Sequence, residues 1–339
     1  MKKNRIQAYA AMQAGAELVP YEFDAGELLP QQVEIQVEYC GLCHSDVSII
    51  QNDWGVSEYP VVPGHEVIGR ISQIGSQVKT LEIGQRVGLG WRAETCECCA
   101  ACLDGQRVHC EDTVATIVGH HGGFADKVRA NWQWAIPLPE NLDDQTAGPL
   151  LCGGVTVFQP LLQHQIQAIH HVGVIGIGGL GHIAIKLLKA WGCKITAFSS
   201  SLSKTDELLE MGADHVMSSI DYEAMQQSSA KFDLILSTVN VGLNWNKYLD
   251  LLTPNGAFHF VGAVMENAPI DPSLLIGKGV QVTGSDTGNP KTLRLLLEFA
   301  ARMNIQPQVE VFPMSRVNEA IDYLKSGQPR YRVVLKAGE

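Results

Sequence analysis

The sequence predicts a two-domain α/β protein, with one half of short strands and one half built on a parallel sheet covered by helices. The chain has 339 residues, a length typical of about two domains. Glycine and proline interrupt the first 150 residues at short intervals, as at Pro60 and Pro63-Gly64, which is typical of β-rich structure. From Gly153 onward, strand-like and helix-like segments alternate, which predicts a parallel sheet with helices on both faces.

The composition argues against several classes of function. The formal net charge of −11 is opposite in sign to the basic patch of nucleic-acid-binding proteins, and it disfavours anionic membranes as well. The N-terminus is basic but lacks the apolar segment of a signal peptide, and no apolar run reaches the roughly 18 residues of a membrane helix. We therefore expect a cytoplasmic protein, with its nine cysteines as metal ligands or buried thiols rather than disulfides.

Short strands are predicted along the first half of the chain. Val33–Val37 alternates apolar and polar residues, and Glu66–Ile71 and Arg86–Leu89 have the composition of further strands. This pattern predicts an all-β, barrel-like domain.

The second half begins with a strand, a glycine-rich turn and a helix. His171–Ile177 is predicted as a buried strand, and Leu180–Trp191 as a helix that ends at Gly192. Later strands are predicted at Lys194–Phe198, Phe232–Leu236, Ala257–Val261 and Val280–Thr283, and helices near Lys204–Met211 and Leu243–Leu252.

The C-terminal tail has a different pattern. Its predicted elements are helices at Lys291–Arg302 and Arg316–Ser326 and strands at Val309–Val311 and Arg332–Leu335. The pattern alone is compatible with either half of the protein.

Four cysteines follow the spacing C-x2-C-x2-C-x7-C, at Cys96, Cys99, Cys102 and Cys110. Such a dense thiolate cluster in a chain without a secretory signal predicts a closed, tetrahedral structural zinc site. Cys98 is an additional thiol in this segment, and the regular spacing favours leaving it out of the site.

A glycine-rich G-x-G-x-x-G motif joins the first predicted strand and helix of the second half. Its glycines would let the backbone approach a pyrophosphate, and the helix N-terminus would supply N–H groups and positive dipole. The motif predicts a dinucleotide-binding loop, with contacts from Gly176, Gly178, Gly179, Leu180 and Gly181.

The end of the next strand predicts the type of dinucleotide. NAD enzymes place an acidic residue there, about 20 residues after the loop, to bind the ribose 2′-hydroxyl. This chain instead has Ser199, Ser200 and Ser201, then Lys204, and no acid before Asp206. Hydroxyls and a lysine suit a 2′-phosphate, so we expect NADP(H). The alternative is that Lys204 is a solvated lysine at a helix start.

Three separate segments offer ligands for a second metal: Cys43, then His65 with Glu66, then Cys152. Two thiolates and one imidazole would leave a fourth position open, as catalytic zinc requires. Spacing alone does not assemble this set, because a single cysteine in an apolar run, such as Cys152, is more often a buried hydrophobic residue.

Five motifs occur in an order that resembles a known family over essentially the whole chain. They are GLCHSD (41–46), VPGHE (62–66), the four-cysteine segment, PLLCGG (149–154) and GIGGLG (176–181). This order resembles the zinc-dependent medium-chain dehydrogenase/reductases. The chain is most similar to the cinnamyl alcohol dehydrogenase branch, and within it to bacterial broad-specificity NADPH-dependent aldehyde reductases.

The resemblance implies a GroES-like β-barrel catalytic domain, residues 1–150 with 286–339, and a Rossmann NADP(H)-binding domain, residues 151–285. It implies reversible hydride transfer between NADPH and aldehydes, giving primary alcohols. Cys43, His65 and Cys152 would be catalytic zinc ligands, with Glu66 as a nearby carboxylate able to bind the metal. Asp46 would accept a hydrogen bond from His65 and fix its tautomer.

The resemblance also implies roles around the substrate. Ser45 would relay a proton to the substrate oxygen, and His44 would lie near the cofactor phosphates or ribose. Trp54 and Trp91 would line the substrate pocket, or else serve as ordinary packing. Plant cinnamyl enzymes have a histidine where this chain has Ser48, so the relay beyond Ser45 could use Ser48, cofactor hydroxyls or water.

The cofactor contacts are completed by residues that follow later strands of the second half. These are Thr238, Val239, Val261, Gly262 and Ser285. The resemblance further implies two zinc ions per subunit and a homodimer, with the strand near Val280–Thr283 pairing across a two-fold axis.

Two other functions remain open from the sequence. One is a zinc-free quinone or enoyl reductase on the same scaffold, although such enzymes lack the ligand set that Cys43, His65 and Cys152 supply in this chain. The other is a catalytically silent NADPH-binding protein that uses its thiol cluster as a redox switch, because fold alone does not determine function.

Overall fold

The computed structural model describes residues 4–338. By its internal contacts the chain divides into two compact units. One unit runs up to Cys152 and resumes at Thr287, and the other spans Gly153–Asp286. The sequence prediction started the second domain at residue 151 and ended it at residue 285.

Most strands of the described residues are short, as expected from the density of turn-forming residues. In chain order they are β1 (Arg5–Ala10), β2 (Val19–Asp24), β3 (Gln32–Leu42), β4 (Glu66–Ile74), β5 (Arg86–Leu89), β6 (Arg92–Glu94), β7 (Val114–Ala115), β8 (Lys127–Asn131), β9 (Ala135–Pro137), β10 (His171–Ile175), β11 (Lys194–Ser199), β12 (His215–Ser218), β13 (Phe232–Ser237), β14 (Leu252–Phe260), β15 (Gln281–Gly284), β16 (Val309–Pro313) and β17 (Arg332–Lys336).

The helices occur mostly in the second unit and the C-terminal tail. They are α1 (His44–Gln51), α2 (Ala100–Leu103), α3 (Asp144–Ala147), α4 (Gly153–Gln163), α5 (Gly181–Trp191), α6 (Thr205–Met211), α7 (Tyr222–Gln227), α8 (Trp245–Leu249), α9 (Pro272–Lys278), α10 (Pro290–Arg302) and α11 (Val317–Lys325). Short 3-10 turns lie at Arg107–His109, Gly148–Leu151, Leu202–Lys204 and Met314–Arg316. Among the described residues, no helix combines the length and the apolar character that a membrane span requires.

The first unit is organised around β3. Among its described residues, seven strands form a sheet of order β16-β17-β3-β4-β5-β9, with β8 also pairing with β3. The strand predicted at Val33–Val37 is the longer β3, which extends to Leu42. Its pairing with β4 shifts register near Glu34 and near Val37, as at β-bulges. The tail belongs to this unit, because β17 pairs antiparallel with β3 and sets Leu335 opposite Cys40.

The second unit holds a six-stranded, fully parallel sheet in its described residues, of order β12-β11-β10-β13-β14-β15. In the unit's own numbering this is the order 3-2-1-4-5-6, that of a doubly wound dinucleotide-binding sheet. Such sheets bind ligands at the carboxyl ends of the strands, where the order reverses between β10 and β13.

Several predicted boundaries were wrong. The buried strand predicted to reach Ile177 ends at Ile175, because the glycine loop begins at once. The helix predicted at Leu243–Leu252 spans only Trp245–Leu249, and Leu252 already belongs to β14.

Seven strands and six helices of the described residues were not predicted individually. They are β1, β2, β6, β7, β8, β9 and β12, and α1, α2, α3, α4, α7 and α9. The half-exposed β12 lacks a clear apolar alternation. The helix α1 is short, and α4 contains Pro160, a residue that disfavours helix interiors.

Candidate metal and cofactor sites

Four buried side chains of the first unit converge on one point. Cys43 immediately precedes α1, and Cys152 follows the 3-10 turn at Gly148–Leu151. His65 immediately precedes β4, and Glu66 is the first residue of that strand. Their ligand atoms all lie within 4.8 Å of one another, and all four residues are buried. The structure therefore brings together the residues proposed from sequence as one metal-binding group.

Asp46 fixes the geometry of this group from one turn into α1. Its Oδ2 accepts the Cys43 N–H at 2.8 Å, which also caps the helix. Its Oδ1 accepts the Gly64 N–H at 2.9 Å and lies 2.8 Å from His65 Nδ1. The carboxylate thus ties two ligand segments together and directs Nε2 of His65 towards the thiols.

Glu66 has a partner that sequence analysis did not identify. Arg332, on β17, forms a buried ion pair with Glu66 through Nη2 and Oε1. Burial raises the pKa of Glu66 to about 7, and Arg332 opposes this increase. The two residues are 266 positions apart, so only the pairing of the C-terminal strand with β3 brings them together.

The donor atoms suit zinc. His65 Nε2 and Glu66 Oε2 are buried and have no hydrogen-bond partner among the described residues. The neighbouring Cys152 holds the pKa of Cys43 well below its ordinary value, which favours a thiolate. Burial opposes protonation of His65, but Asp46 raises its pKa well above the ordinary value. A cation bound here would take the place of the proton on His65 Nε2, and it would satisfy both His65 Nε2 and Glu66 Oε2.

The predicted relay residues lie along α1. Ser45 is partly buried, with its Oγ 3.8 Å from the Sγ of Cys43, which brings its hydroxyl beside the metal group. His44 is exposed at the start of the helix, and Ser48 is buried.

The two predicted pocket tryptophans contact each other. Their ring centroids lie 5.9 Å apart in an edge-to-face arrangement, and Trp91 also packs edge-on against His65 at 5.0 Å. Trp54 and Trp91 are partly buried beside an apolar cluster formed by Ile49, Val61 and Ile117. An aromatic and aliphatic wall therefore adjoins the metal group.

The four-cysteine segment forms a second group around α2. Its four sulfur atoms, those of Cys96, Cys99, Cys102 and Cys110, lie within 4.8 Å of one another. The backbone N–H of Cys99 points at one of these sulfurs, and its nitrogen lies 3.3 Å from Cys96 Sγ. Cys98 is exposed and lies outside the group. Four thiols and no open position suit a structural rather than a catalytic zinc.

The glycine loop of the second unit connects β10 to α5. Gly176 has φ of +85°, which favours glycine, and a side chain there would overlap Val239. A Cβ on Gly181 would lie 2.1 Å from the Gly176 carbonyl oxygen, so only glycine allows the helix to start so close to the strand. Gly178 is exposed with open space above it, which leaves room for a pyrophosphate at the N-terminus of α5. Gly179 and Leu180 complete the turn.

The serine segment begins at the carboxyl end of β11. Ser199 Oγ donates to the Ser201 carbonyl at 2.9 Å, and the hydroxyls of Ser201 and Ser203 lie 2.7 Å apart. Ser200 is exposed, and Lys204 is partly exposed at the end of the 3-10 turn. Hydroxyls and an amino group thus lie at the strand end where the cofactor ribose is expected.

The remaining predicted cofactor residues each follow a strand at the same edge of the sheet. Thr238 and Val239 follow β13, and the Thr238 hydroxyl donates to the Gly176 carbonyl at 2.6 Å. The others, after β14 and β15, are Val261, Gly262 and Ser285. The cofactor residues predicted in the second unit therefore all lie along one edge of its sheet, whereas His44 belongs to the first unit.

Comparisons with known proteins agree with this arrangement. Residues 29–140 match the family described as alcohol dehydrogenase GroES-like domain, and residues 179–302 match the zinc-binding dehydrogenase family. Aldehyde reductase AdhA of Synechocystis sp. is 49% identical, over 97% of this chain and 98% of the relative.

Solved structures show the same similarity. A cinnamyl alcohol dehydrogenase from Sorghum bicolor superposes with a TM-score of 0.94 at 36% identity, covering 98% of this chain and 97% of that one. The enzyme named CAD from Helicobacter pylori, complexed with NADP(H), gives a TM-score of 0.89 at 29% identity and covers 98% of each chain. The chain therefore belongs to the zinc-dependent medium-chain dehydrogenase/reductases, in the cinnamyl alcohol dehydrogenase branch.

Proposed function

We propose that this chain is a zinc-dependent alcohol dehydrogenase that works as an NADPH-dependent aldehyde reductase, interconverting aldehydes and primary alcohols. The observation that carries the proposal is the buried group of Cys43, His65, Glu66 and Cys152. Two sulfurs and one imidazole would hold zinc, and the fourth position would be open to a substrate oxygen when the Glu66 carboxylate is not bound to the metal. The similarity to an aldehyde reductase over nearly the whole chain supports the same reaction.

In this proposal the two cofactors carry the chemistry and the protein organises them. When bound, zinc supplies Lewis-acid polarisation of the carbonyl, and NADPH supplies the hydride. Cys43, His65 and Cys152 hold the metal, and Asp46 keeps Nε2 of His65 aimed at it. Arg332 holds Glu66 by one carboxylate oxygen and leaves the other directed at the same point.

The proton would move through the hydroxyl of Ser45. Reduction of an aldehyde leaves a negative charge on the product oxygen, and a hydroxyl beside the metal group can donate its proton there. Ser45 Oγ lies 3.8 Å from Cys43 Sγ, so it adjoins the position that the substrate oxygen would take. Further transfer through Ser48, cofactor hydroxyls or water would restore the Ser45 proton.

The preference for NADPH is assigned to the end of β11. The segment offers serine hydroxyls and Lys204 and no carboxylate, a combination that suits a 2′-phosphate and lacks the acceptor for a free 2′-hydroxyl. The Helicobacter pylori structure with NADP(H) supports this assignment.

Trp54 and Trp91 are proposed to line the substrate pocket. Their edge-to-face contact and the packing of Trp91 against His65 form an apolar wall beside the metal group. Such a wall favours aldehydes with apolar substituents over polyhydroxylated ones.

The direct test is to follow the oxidation of NADPH and NADH with aliphatic and aromatic aldehydes, with and without a zinc chelator. We expect chelator-sensitive reduction with a preference for NADPH. Turnover that a chelator leaves unchanged would favour a zinc-free reductase. Zinc-loaded protein that reduces no aldehyde with either cofactor would favour the silent NADPH-binding alternative.

We also propose a homodimer and a cytoplasmic location. The strand β15 is the last of the parallel sheet, and one of its edges pairs with no strand within residues 4–338. Pairing of this edge with a second copy would cover it. Sedimentation analysis is expected to give twice the monomer mass of 36.9 kDa, whereas the monomer mass would contradict the dimer.

A further inference from the structure

A buried histidine that the proposed mechanism does not use lies near the carboxyl end of β14. His259 is fully buried, and both of its ring nitrogens have polar partners. Its Nδ1 lies 2.9 Å from the Thr283 hydroxyl and 3.0 Å from His164 Nε2. Its Nε2 lies 2.9 Å from the Ser285 hydroxyl. The ring therefore connects the turn after α4 with two residues at the end of the sheet.

The register of the sheet accounts for this arrangement. His259 is paired with Thr283 across β14 and β15, and side chains alternate between the two faces of a strand. Phe258 and Phe260 pack against Trp245 at 5.8 Å and 5.0 Å between ring centroids. His259 points to the opposite face, where an apolar side chain would be the ordinary choice. A buried imidazole is costly unless it is hydrogen-bonded, and here both nitrogens are.

The distances favour one pattern of proton positions. The Thr283 hydroxyl has three short contacts, to His259 Nδ1 at 2.9 Å, to His164 Nε2 at 3.1 Å and to the Phe258 carbonyl at 3.3 Å. Donation of its hydrogen along the shortest of them makes Nδ1 an acceptor. The ring proton then lies on Nε2 and is donated to Ser285 Oγ. Burial, and then the nearby His164, lower the pKa of His259 to about 4, so the ring is neutral near neutral pH. The hydrogen of the Ser285 hydroxyl remains available to a further acceptor.

Ser285 lies at the cofactor edge of the sheet, in the half formed by β13, β14 and β15. Under the proposed function, the serine segment and Lys204 at the other half take the adenosine 2′-phosphate. A doubly wound sheet binds one nucleotide on each half, so the half with Ser285 takes the nicotinamide nucleotide.

We propose that His259 is a positioning residue that holds the Ser285 hydroxyl as a hydrogen-bond donor to an oxygen of the nicotinamide half of NADPH. His259 itself does not touch the cofactor in this proposal. Thr283 and His164 set its tautomer from the opposite side of the ring. This inference rests on the proposed function, because it requires that NADPH binds at this edge.

Two amide substitutions of His259 test the contacts of its two ring nitrogens one at a time. Asparagine places its amide near the position of Nδ1, so His259→Asn keeps the contact with Thr283 and loses the contact with Ser285. Glutamine reaches the position of Nε2, so His259→Gln keeps a donor for Ser285. The readout is the dissociation constant of NADPH, from its fluorescence without any aldehyde present. A second titration, by calorimetry, measures the binding of adenosine 2′,5′-bisphosphate, which contains only the adenosine half of the cofactor.

We expect His259→Asn to weaken NADPH binding about five- to tenfold, the effect of one lost hydrogen bond, while binding of the bisphosphate is unchanged. His259→Gln should retain most of the NADPH affinity. Ser285→Ala should match His259→Asn, and the double variant should be no weaker than Ser285→Ala alone. His171→Asn is the matched control, because His171 is a half-buried histidine at the amino end of β10 with a hydroxyl partner, Thr196, at 2.8 Å.

Several outcomes would overturn the inference. Unchanged NADPH affinity in His259→Asn, or equal losses in the Asn and Gln variants, would exclude the contact with Ser285 as its basis. Weaker binding of the bisphosphate as well would indicate a general disturbance of the sheet. Failure of the unsubstituted protein to bind either ligand would instead overturn the proposed function, and this inference with it.

Discussion

At the scale of single residues, Asp46 organises the candidate metal group of Cys43, His65, Glu66 and Cys152. Its two carboxylate oxygens accept from the backbone of Cys43 and Gly64 and from the His65 ring, so one side chain fixes two of the ligand segments. Carboxylate partners of this kind set the tautomer and orientation of metal-binding histidines.

We therefore expect Asp46→Asn to weaken zinc binding at the catalytic group about 10- to 100-fold, because His65 loses its charged partner. Competition with a chelator would measure this affinity. Asp53→Asn is the matched control, because Asp53 is exposed just beyond the same helix. Equal zinc affinities in the two variants would show that Asp46 does not hold His65 for the metal.

Lys204 should determine cofactor preference. We expect Lys204→Ala to raise the KM for NADPH about tenfold, because a charge-assisted contact with the 2′-phosphate is lost. The KM for NADH should not change, since NADH has no phosphate there. Steady-state kinetics with both cofactors on the same preparation provides the internal control, and parallel changes for both would contradict the assignment.

The sequence indicated candidate site residues only where they belong to a recognisable motif. The spacing of Cys96, Cys99, Cys102 and Cys110 indicated a metal group without further knowledge. Cys152 required the family resemblance. Arg332 and His259 carried no local signal, because their partners come from strand pairing between distant segments.

At the scale of elements, the four-cysteine segment is a small unit attached to the rest of its domain by side chains. Arg92 donates to the Val108 carbonyl and to Thr287, each at 2.9 Å, and Asn289 accepts the Val108 N–H at 3.0 Å. The segment α2 has only four residues, so its own helical contacts stabilise it little. Zinc would therefore supply much of its stability.

Cys99→Ala should lower the melting temperature by roughly 5 °C or more, because a closed zinc site contributes directly to folding. Cys98→Ala is the matched control one residue away and should leave the melting temperature and the zinc content unchanged. Differential scanning calorimetry with zinc analysis would test both. Equal effects of the two substitutions would contradict the exclusion of Cys98 from the site.

The elements themselves were predicted where hydrophobic periodicity was strong. The helix predicted at Leu180–Trp191 begins one residue later, at Gly181, and ends at Trp191 as expected. Prediction failed for β12, whose residues are half-exposed, and for α4, where Pro160 argues locally against a helix. In both cases packing within the unit overrides local preference.

At the scale of the whole molecule, buried neutral histidines should make the protein less stable in acid. The folded pKa of His259 is about 4, against an ordinary value of 6.5. Between these values the unfolded chain binds a proton that the folded ring does not. The free energy of unfolding therefore falls as the pH drops from 6.5 to about 4, by up to about 3 kcal/mol, and this group has no effect above 6.5.

His259→Gln removes this ionisable group. When the pH is lowered from about 7.5 to about 5, we expect the melting temperature of the variant to decrease less than that of the unsubstituted protein. Thermal unfolding at both pH values would measure the difference. Equal losses would show that His259 is not held neutral in the folded protein.

The central claim is that the group of Cys43, His65 and Cys152 holds the zinc of an NADPH-dependent aldehyde reductase. The most direct measurement compares zinc content and NADPH-dependent aldehyde reduction in the same preparations of the unsubstituted protein and Cys43→Ala. We predict that the substitution removes about one of two zinc equivalents, abolishes turnover and leaves the fold largely intact. Full turnover by Cys43→Ala, with its zinc content unchanged, would contradict the account.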